Sequence, residues 1–579
     1  MLPTLRDSDG HVLHTDEEKA EALGKYFSSV FTADDVTSSS NLRHPNSPSE
    51  TVACNDIYFH PTEISSLLQQ LKPSLSIPID GIPQIVYKKC HYSLSKPLSY
   101  LFNLSFYYGE VPQLWKQAIV TPIPKCSNAS QVSDFRPISI TPTPVKVMEK
   151  IIGGKLLSWM NRSHFIPKEQ HGFLPGASTS TNLIDAYYDW CSALSVQKSV
   201  DIVYFDLSKA FDKVSHPMLL NKMQRLGVGH NVLSWVKSYL SERYMVVRVK
   251  KSFSSTHCCT SGVPQGGVLS PLLFLIYTLE LSALLKSSPD IGVQIYADDV
   301  KIYGVYNSRN SESVRTALQT SITKMNEWAL EQKIPLNLKK CAVMHLGTID
   351  ASDYEVAGLK LNRCDSSRDL GIWFSSTLSF SSQLEQLTKK AYQVLFQIFR
   401  TVTVKDSGVM IRLYKSYVLP HLEYGSIVWN PHLKREIHKV EKVQKLFTRL
   451  LWLRVTDSVR QNLPSYSERL RLFSLLSLQH RRIIADLVFC FRILRGEVRL
   501  QPSKYWVFRP VSPRLGRFGL EVSRSLCLSR SQMANMVFCR CARWFRLLPV
   551  EVLEADNSKA FRARLKRLDI HQLLGVPSE

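Results

Sequence analysis

The rhythm of apolar and polar positions changes twice along this chain. Through about residue 50 it is mostly polar and closes on TSSSNLRHPNSPSE, a Ser/Pro/Asn-rich stretch that predicts a linker. From residue 61, PTEISSLLQQLK places Ile64, Leu67, Leu68 and Leu71 at helical spacing behind Thr62 as the expected N-cap. Between about 110 and 375 helical stretches alternate with β-rich runs: AIVTPIP (118–124), SVDIVYFDL (199–207), MVVRVK (245–250) and IGVQIYADDVKIYGVY (291–306). Beyond about 380 the period is helical and the composition rich in Leu and Arg, until a Pro/Gly-broken stretch near 502–520. The pattern predicts an α+β core followed by a basic, mainly helical extension. One run, GGVLSPLLFLIYTLELSALL (266–285), approaches the length of a membrane span. Pro271 and Glu280 interrupt it, so a buried helix is the expectation.

Composition narrows the function classes. The 579 residues are 44% hydrophobic and 21% charged, as in a folded protein. The 12 cysteines follow no disulfide framework, the amino terminus has no signal-peptide pattern, and no internal repeat stands out. The expectation is a soluble protein of a reducing compartment. The net charge is +23, of which residues 381–579 carry +20, mostly as arginine. Arginine grips phosphate through paired hydrogen bonds and stacks on bases, which points to nucleic acid; helices with solvated basic faces are the alternative.

Three carboxylates stand out. Asp206 ends the apolar run SVDIVYFD, where a strand delivers it at an exposed tip. Asp298 and Asp299 lie between two β-rich halves, which suits a hairpin turn. The tetrapeptide ADDV also occurs at 33–36, among polar residues where two solvated acids explain it. At 297–300 its surroundings are apolar, and adjacent charges there require compensation by divalent cations or by an ion-pair network.

These blocks also carry a resemblance. YADD after an apolar strand, DLSKAFDKV (206–214) and GVPQGGVLSPLLF (262–274) resemble the reverse transcriptases of non-LTR retrotransposons of the jockey and chicken-repeat type. WKQAIVTPIPK (115–125), DFRPISITPTPVKVMEKII (134–152), GFLPGASTSTNLID (172–185), PLNLKKC (335–341), RDLGIWF (368–374) and RLYKSYVLPHLEYGSIVWNP (412–431) follow in the family's order. The resemblance implies a right-hand polymerase: a linker remnant (1–55), fingers (56–200), palm with an interleaved fingers segment (201–375), thumb (376–455) and a basic helical C-terminal domain (456–579). It implies Asp206, Asp298 and Asp299 as ligands of two Mg²⁺ ions, replaceable by Mn²⁺, for attack of a primer 3′-hydroxyl on a dNTP. Phe211 matches the aromatic under the incoming sugar, Gln265 and Gly266 the loop at the nascent base pair, and Lys125 and Arg136 the cations facing the triphosphate. Lys340 matches a lysine proposed to protonate pyrophosphate, and Leu370 and Gly371 the grip on the primer end.

The implied partners are template RNA, primer or target DNA and dNTPs, with no membrane, in nucleus and cytoplasm. No nuclease constellation precedes the fingers blocks, which leaves open an endonuclease acting in trans. Gly267 and Cys341 depart from the usual Ser and Thr/Ser, and the thiols Cys258, Cys259, Cys539 and Cys541 lack zinc-ligand spacing. The alternative function is a catalytically inactive nucleic-acid-binding relic of such an element. A group II intron or telomerase type is disfavoured by the 412–431 block.

Overall fold

The computed structural model describes residues 4–7, 10–32, 57–126, 128–456, 463–509, 519–522 and 535–575. The TSSSNLRHPNSPSE stretch and the ADDV at 33–36 lie outside the described residues. In chain order the strands that matter are β1 (Gln117–Pro124), β2 (Phe135–Ile140), β3 (Ser199–Asp206), β4 (Arg243–Val249), β5 (Ser252–Phe253), β6 (His257–Cys259), β7 (Ile291–Tyr296), β8 (Asp299–Tyr306), β9 (Ala342–Leu346), β10 (Asn362–Arg363), β11 (Ser366–Asp369) and β12 (Ile372–Ser375). The chain divides into two compact units. One comprises Met1–Pro167, Phe205–Leu285 and Ile322–Lys340, and the other Lys168–Tyr204, Lys286–Ser321 and Cys341–Glu579.

The first unit holds a sheet in the order β2-β1-β4-β5, with β6 also on β4. β1 pairs antiparallel with β2 and parallel with β4. The amino-terminal part of this unit departs from the linker expected there. Asp16–Ser28 is a helix, closed by a capping box between Thr15 and Glu18. Its Ala20, Leu23 and Phe27 join Val120, Phe135, Met245 and Val247 in one apolar cluster. The polar stretch therefore hides a one-sided helix, whose buried face is narrow enough to be lost in a polar average. The helix Pro61–Gln69 forms as expected and buries Ile64 and Leu68, but its cap is His60, whose Nδ1 accepts from the Thr62 N–H at 3.3 Å. The apolar run 266–285 is two short helices, Ser270–Tyr277 and Leu281–Leu285. Among the described residues no helix is long and apolar enough to cross a membrane.

The second unit holds a five-stranded sheet in the order β10-β9-β3-β8-β7. β7 and β8 form a hairpin, and β9 runs antiparallel to β3 through Ala342↔Tyr204 to Leu346↔Val200. The last two residues of β3, Phe205 and Asp206, are counted with the first unit. Among the described residues from Ser381 onward, the regular elements of this unit are helices apart from a small ladder, Trp506–Arg509 with Gly519–Val522. The long helices Ser381–Thr401, Lys434–Thr456 and Leu478–Leu494 share one apolar cluster with the sheet.

Candidate active site

In the first unit, backbone pairing brings distant blocks of sequence to the end of β3. Asn337 donates its N–H to the Asp206 carbonyl (2.8 Å), and Ser208 donates to the Pro335 carbonyl (3.0 Å). The segment PLNLKK is thus laid along the strand end, and a turn closed by Lys340 N–H to Asn337 O brings the lysine round. Its Nζ stands 3.3 Å from Asp206 Oδ2, with the carboxylate 36% and the lysine side chain 67% exposed.

The β1–β2 hairpin supplies more positive charge. Lys125 follows β1 directly, donating its N–H to Asp134 O and its ammonium to Ser133 O, both at 2.8 Å. Arg136 is exposed on β2, paired with Ile123 in the ladder. The Lys125 ammonium is held below the usual lysine range, first by burial and then by the fields of Arg136, Lys209 and Lys340. Lys125 therefore stands in the field of three further cations, which raises the cost of keeping it charged. Such a group is poised to be relieved by an incoming polyanion. Lys209, a member of this set that the sequence reading overlooked, has φ +53° and sits 4.5 Å over the Tyr26 ring. It lies inside DLSKAFDKV, so the block was visible but the role of its lysine was not.

The loop after β3 also carries Phe211, stacked on Phe274 at 4.5 Å and 16° and half-buried. Asp212, the second residue missed, accepts from Gln265 Nε2 at 2.9 Å. Burial pushes its carboxyl up, opposed by Gln265, Lys209 and Lys125. The loop at 264–269 is fixed from both ends. Gln265 O accepts from Ser139 N–H (2.7 Å), while buried Glu149 accepts from the N–H groups of Val268 (2.7 Å) and Leu269 (2.8 Å). Gly266 has φ +105°, and a Cβ there would lie 2.9 Å from Ser139 O, so both conformation and space require glycine. At Gly267 a Cβ would come 2.5 Å from Ser270 Oγ, so glycine suits the packing there.

In the second unit, Tyr296 pairs with Asp299, which leaves Ala297 and Asp298 as a two-residue turn. Ala297 takes φ +59°, a strained value for a residue with a Cβ. The segment 169–172 holds it there: His171 N–H donates to Ile295 O, Ile295 N–H donates to Glu169 O (both 2.9 Å), and a Cβ on Gly172 would be 2.4 Å from Ala297 N. Asp298 is half-buried and Asp299 exposed. Two residues on, Lys301 turns inward to a buried ion pair with Asp369 Oδ2 at 2.5 Å. Asp369 ends β11, and the turn that follows is Leu370–Gly371, at φ +43° and +89°. Tyr424 donates its hydroxyl to Leu370 O at 2.8 Å, and its ring lies 3.1 Å from where a Gly371 Cβ would be. The acidic hairpin and the Leu370–Gly371 hairpin are thus joined through Lys301.

Lys125, Arg136, Asp206, Phe211, Gln265, Gly266 and Lys340 are accordingly found in the first unit, and Asp298, Asp299, Leu370 and Gly371 in the second. Among the described residues no three His, Cys, Asp or Glu side chains are grouped closely enough to hold a metal ion. No disulfide joins the ten described cysteines.

Residues 123–394 match the family model described as reverse transcriptase (RNA-dependent DNA polymerase). Among curated proteins, a probable RNA-directed DNA polymerase from transposon BS of Drosophila melanogaster is 24% identical over 85% of this chain and 57% of its own length. The RNA-directed DNA polymerase from mobile element jockey of the same species is 27% identical over 65% of this chain and 42% of its own. The probable polymerase from transposon X-element, also of that species, is 23% identical over 86% and 57%. The chain therefore spans about half the length of the curated relatives it matches. Among solved structures, an apo telomerase from Candida tropicalis truncated from its C-terminal domain is 12% identical, covering 50% of this chain and 60% of its own. Its TM-score of 0.33 is too low to bear on the fold.

Proposed function

Because this chain carries a reverse transcriptase domain of the non-LTR transposon type, we propose that it is an RNA-directed DNA polymerase, joining a dNTP to a primer 3′-hydroxyl opposite an RNA template. The observation that carries the reading is the crowding of Lys125, Arg136, Lys209 and Lys340 in the unit that bears Asp206. Cations gathered beside a carboxylate suit a triphosphate that must be bound, oriented and relieved of charge as pyrophosphate leaves. Lys125 and Arg136 hold the β- and γ-phosphates, and Lys340 gives its proton to the departing pyrophosphate.

Asp206, Asp298 and Asp299 are proposed as the metal ligands. Carboxylate oxygens are the donors that Mg²⁺, or Mn²⁺ in its place, prefers. Bound there, two such ions would supply Lewis-acid activation of the attacking and leaving oxygens. Phe211 is braced by Phe274 on one face, and the proposal gives its ring the task of excluding a 2′-hydroxyl. Gln265, tied to Asp212, and Gly266 form the floor beneath the nascent pair. Leu370 and Gly371 hold the primer end. In this reading residues 56–200 are fingers, 201–375 palm with an interleaved fingers segment, 376–455 thumb and 456–579 a basic helical domain. Copying onto target DNA places the activity in the nucleus after cytoplasmic synthesis of the protein.

The test is incorporation of labelled dTTP on poly(rA) primed with oligo(dT), with Mg²⁺. The parent is expected to incorporate and the Asp298→Ala protein to fall by at least a thousandfold. Absence of incorporation by the parent over a range of Mg²⁺ and Mn²⁺ would leave an inactive nucleic-acid-binding chain.

A further inference from the structure

Within the second unit, three helices turn one stripe each toward a common groove of about 860 Å³. Lys434–Thr456 contributes Lys434, Arg435 and, two turns on, Lys442, all exposed, while its opposite face buries Val440, Val443 and Phe447. Val537–Phe545 contributes Arg540, Arg543 and Trp544, spaced i, i+3 and i+4 so that they share a face. Leu478–Leu494 contributes Ile483, which with Ile437 gives the groove an apolar wall. Among the described residues no acidic side chain lines it.

The floor is built. Arg540 is only 7% exposed; its Nε donates to Asp486 Oδ2 at 2.8 Å and its Nη1 to Asn535 O. Asn430 also donates to that carboxylate, at 2.7 Å. The third guanidinium nitrogen, Nη2, is buried in the groove's lining without a hydrogen-bond partner among the described residues. Cations on the rim, an apolar wall and a half-buried indole together match a ligand with both phosphates and flat rings. A duplex keeps its bases stacked inside, so the indole is useful only to an unpaired strand.

We propose that this groove binds single-stranded nucleic acid, with one base on Trp544 and the flanking phosphates on Lys434, Arg435, Lys442 and Arg543. The site is separate from the proposed polymerase chemistry, and it assigns a task to Arg543 and Trp544 that the proposed mechanism leaves unused. Binding is measured by anisotropy of a labelled eight-nucleotide RNA, and of the DNA of the same sequence, to the full chain bearing Asp298→Ala. That background keeps the outcome apart from whether the chain polymerises. Replacing Lys434, Arg435 and Lys442 together by Glu is expected to weaken binding at least tenfold. The same change should flatten the salt dependence by about two in log–log slope, since each released phosphate contact contributes roughly 0.7. Trp544→Ala is expected to cost roughly tenfold while Trp544→Phe retains most affinity. Photo-crosslinking from 5-iodouridine is expected at Trp544. A preference for RNA or for DNA, or none, supports the proposal alike. It is overturned if the triple variant binds as the parent does, if Trp544→Ala is without effect, or if crosslinks fall only outside residues 430–442 and 535–544.

Discussion

Lys301→Met isolates the device that joins the acidic hairpin to the Leu370–Gly371 turn. The ammonium and the Asp369 carboxylate are 2.5 Å apart with 4% and 7% of their side chains exposed, and Lys301 also sits 5.8 Å from the centre of the Trp190 ring. At an effective dielectric of about 20, Coulomb's law gives roughly 7 kcal/mol of gross attraction for unit charges at that separation. Part of that offsets the desolvation of both groups. Methionine fills nearly the same volume but leaves Asp369 buried and uncompensated, and losing one partner of such a pair costs about 3–5 kcal/mol. Urea unfolding, followed in parallel by far-UV circular dichroism and tryptophan fluorescence, should show a loss of that size. The second change, Asp369→Leu in the Lys301→Met background, should recover most of it, because an apolar pair replaces the stranded charge. A single variant within 1 kcal/mol of the parent, or a double variant no better than the single, would refute the reasoning.

Gly266→Ala should impair extension and lower stability by about 1–3 kcal/mol, since φ is +105° and the new Cβ would lie 2.9 Å from Ser139 O; steady-state extension and urea melts check it. Because burial and neighbouring cations lower the Lys125 pKa, its charge is lost at a lower pH than that of an ordinary lysine. The KM for dNTP should therefore climb early as the solution turns alkaline, and Lys125→Arg should flatten that rise, as pH-dependent kinetics would show. His171, buried with Nδ1 2.9 Å from Thr181 Oγ1, has its pKa lowered to about 4 by burial. Its folded form resists protonation, so stability is full above the unfolded value near 6.5 and falls by about 3 kcal/mol as pH drops from there toward 4. Melting temperature against pH, with His171→Gln lacking that component, is the measurement.

Much of the core was legible because alternation and chemistry coincide. Asp206 at a strand end and Asp298 in a hairpin turn were readable from the apolar runs that flank them, and every expected strand between 118 and 306 is present. The helix Asp16–Ser28 was not, since the acids Asp16, Glu17 and Glu18 of its first turn mask a face that buries only Ala20, Leu23, Gly24 and Phe27. The cap at His60 escaped because threonine is the commoner cap and imidazole an uncommon one. Long-range partnerships were invisible for a different reason. Lys301 reads as one polar residue in an apolar strand, and only the fold shows that it meets Asp369, 68 positions on. Likewise nothing local in DLSKAFDKV says that Lys209 joins Lys125, Arg136 and Lys340, or that Asp212 fixes Gln265.

The central claim is that RNA-templated synthesis runs through the three carboxylates. Its most direct test is single-turnover addition of one dNTP to a primer annealed to a mixed-sequence RNA template with Mg²⁺, comparing the parent with Asp206→Ala, Asp298→Ala and Asp299→Ala. The account predicts template-directed addition by the parent and a loss of at least a thousandfold in Asp206→Ala and Asp298→Ala, with binding of the primer–template retained. Addition by either of those two variants at a rate within tenfold of the parent's would contradict it.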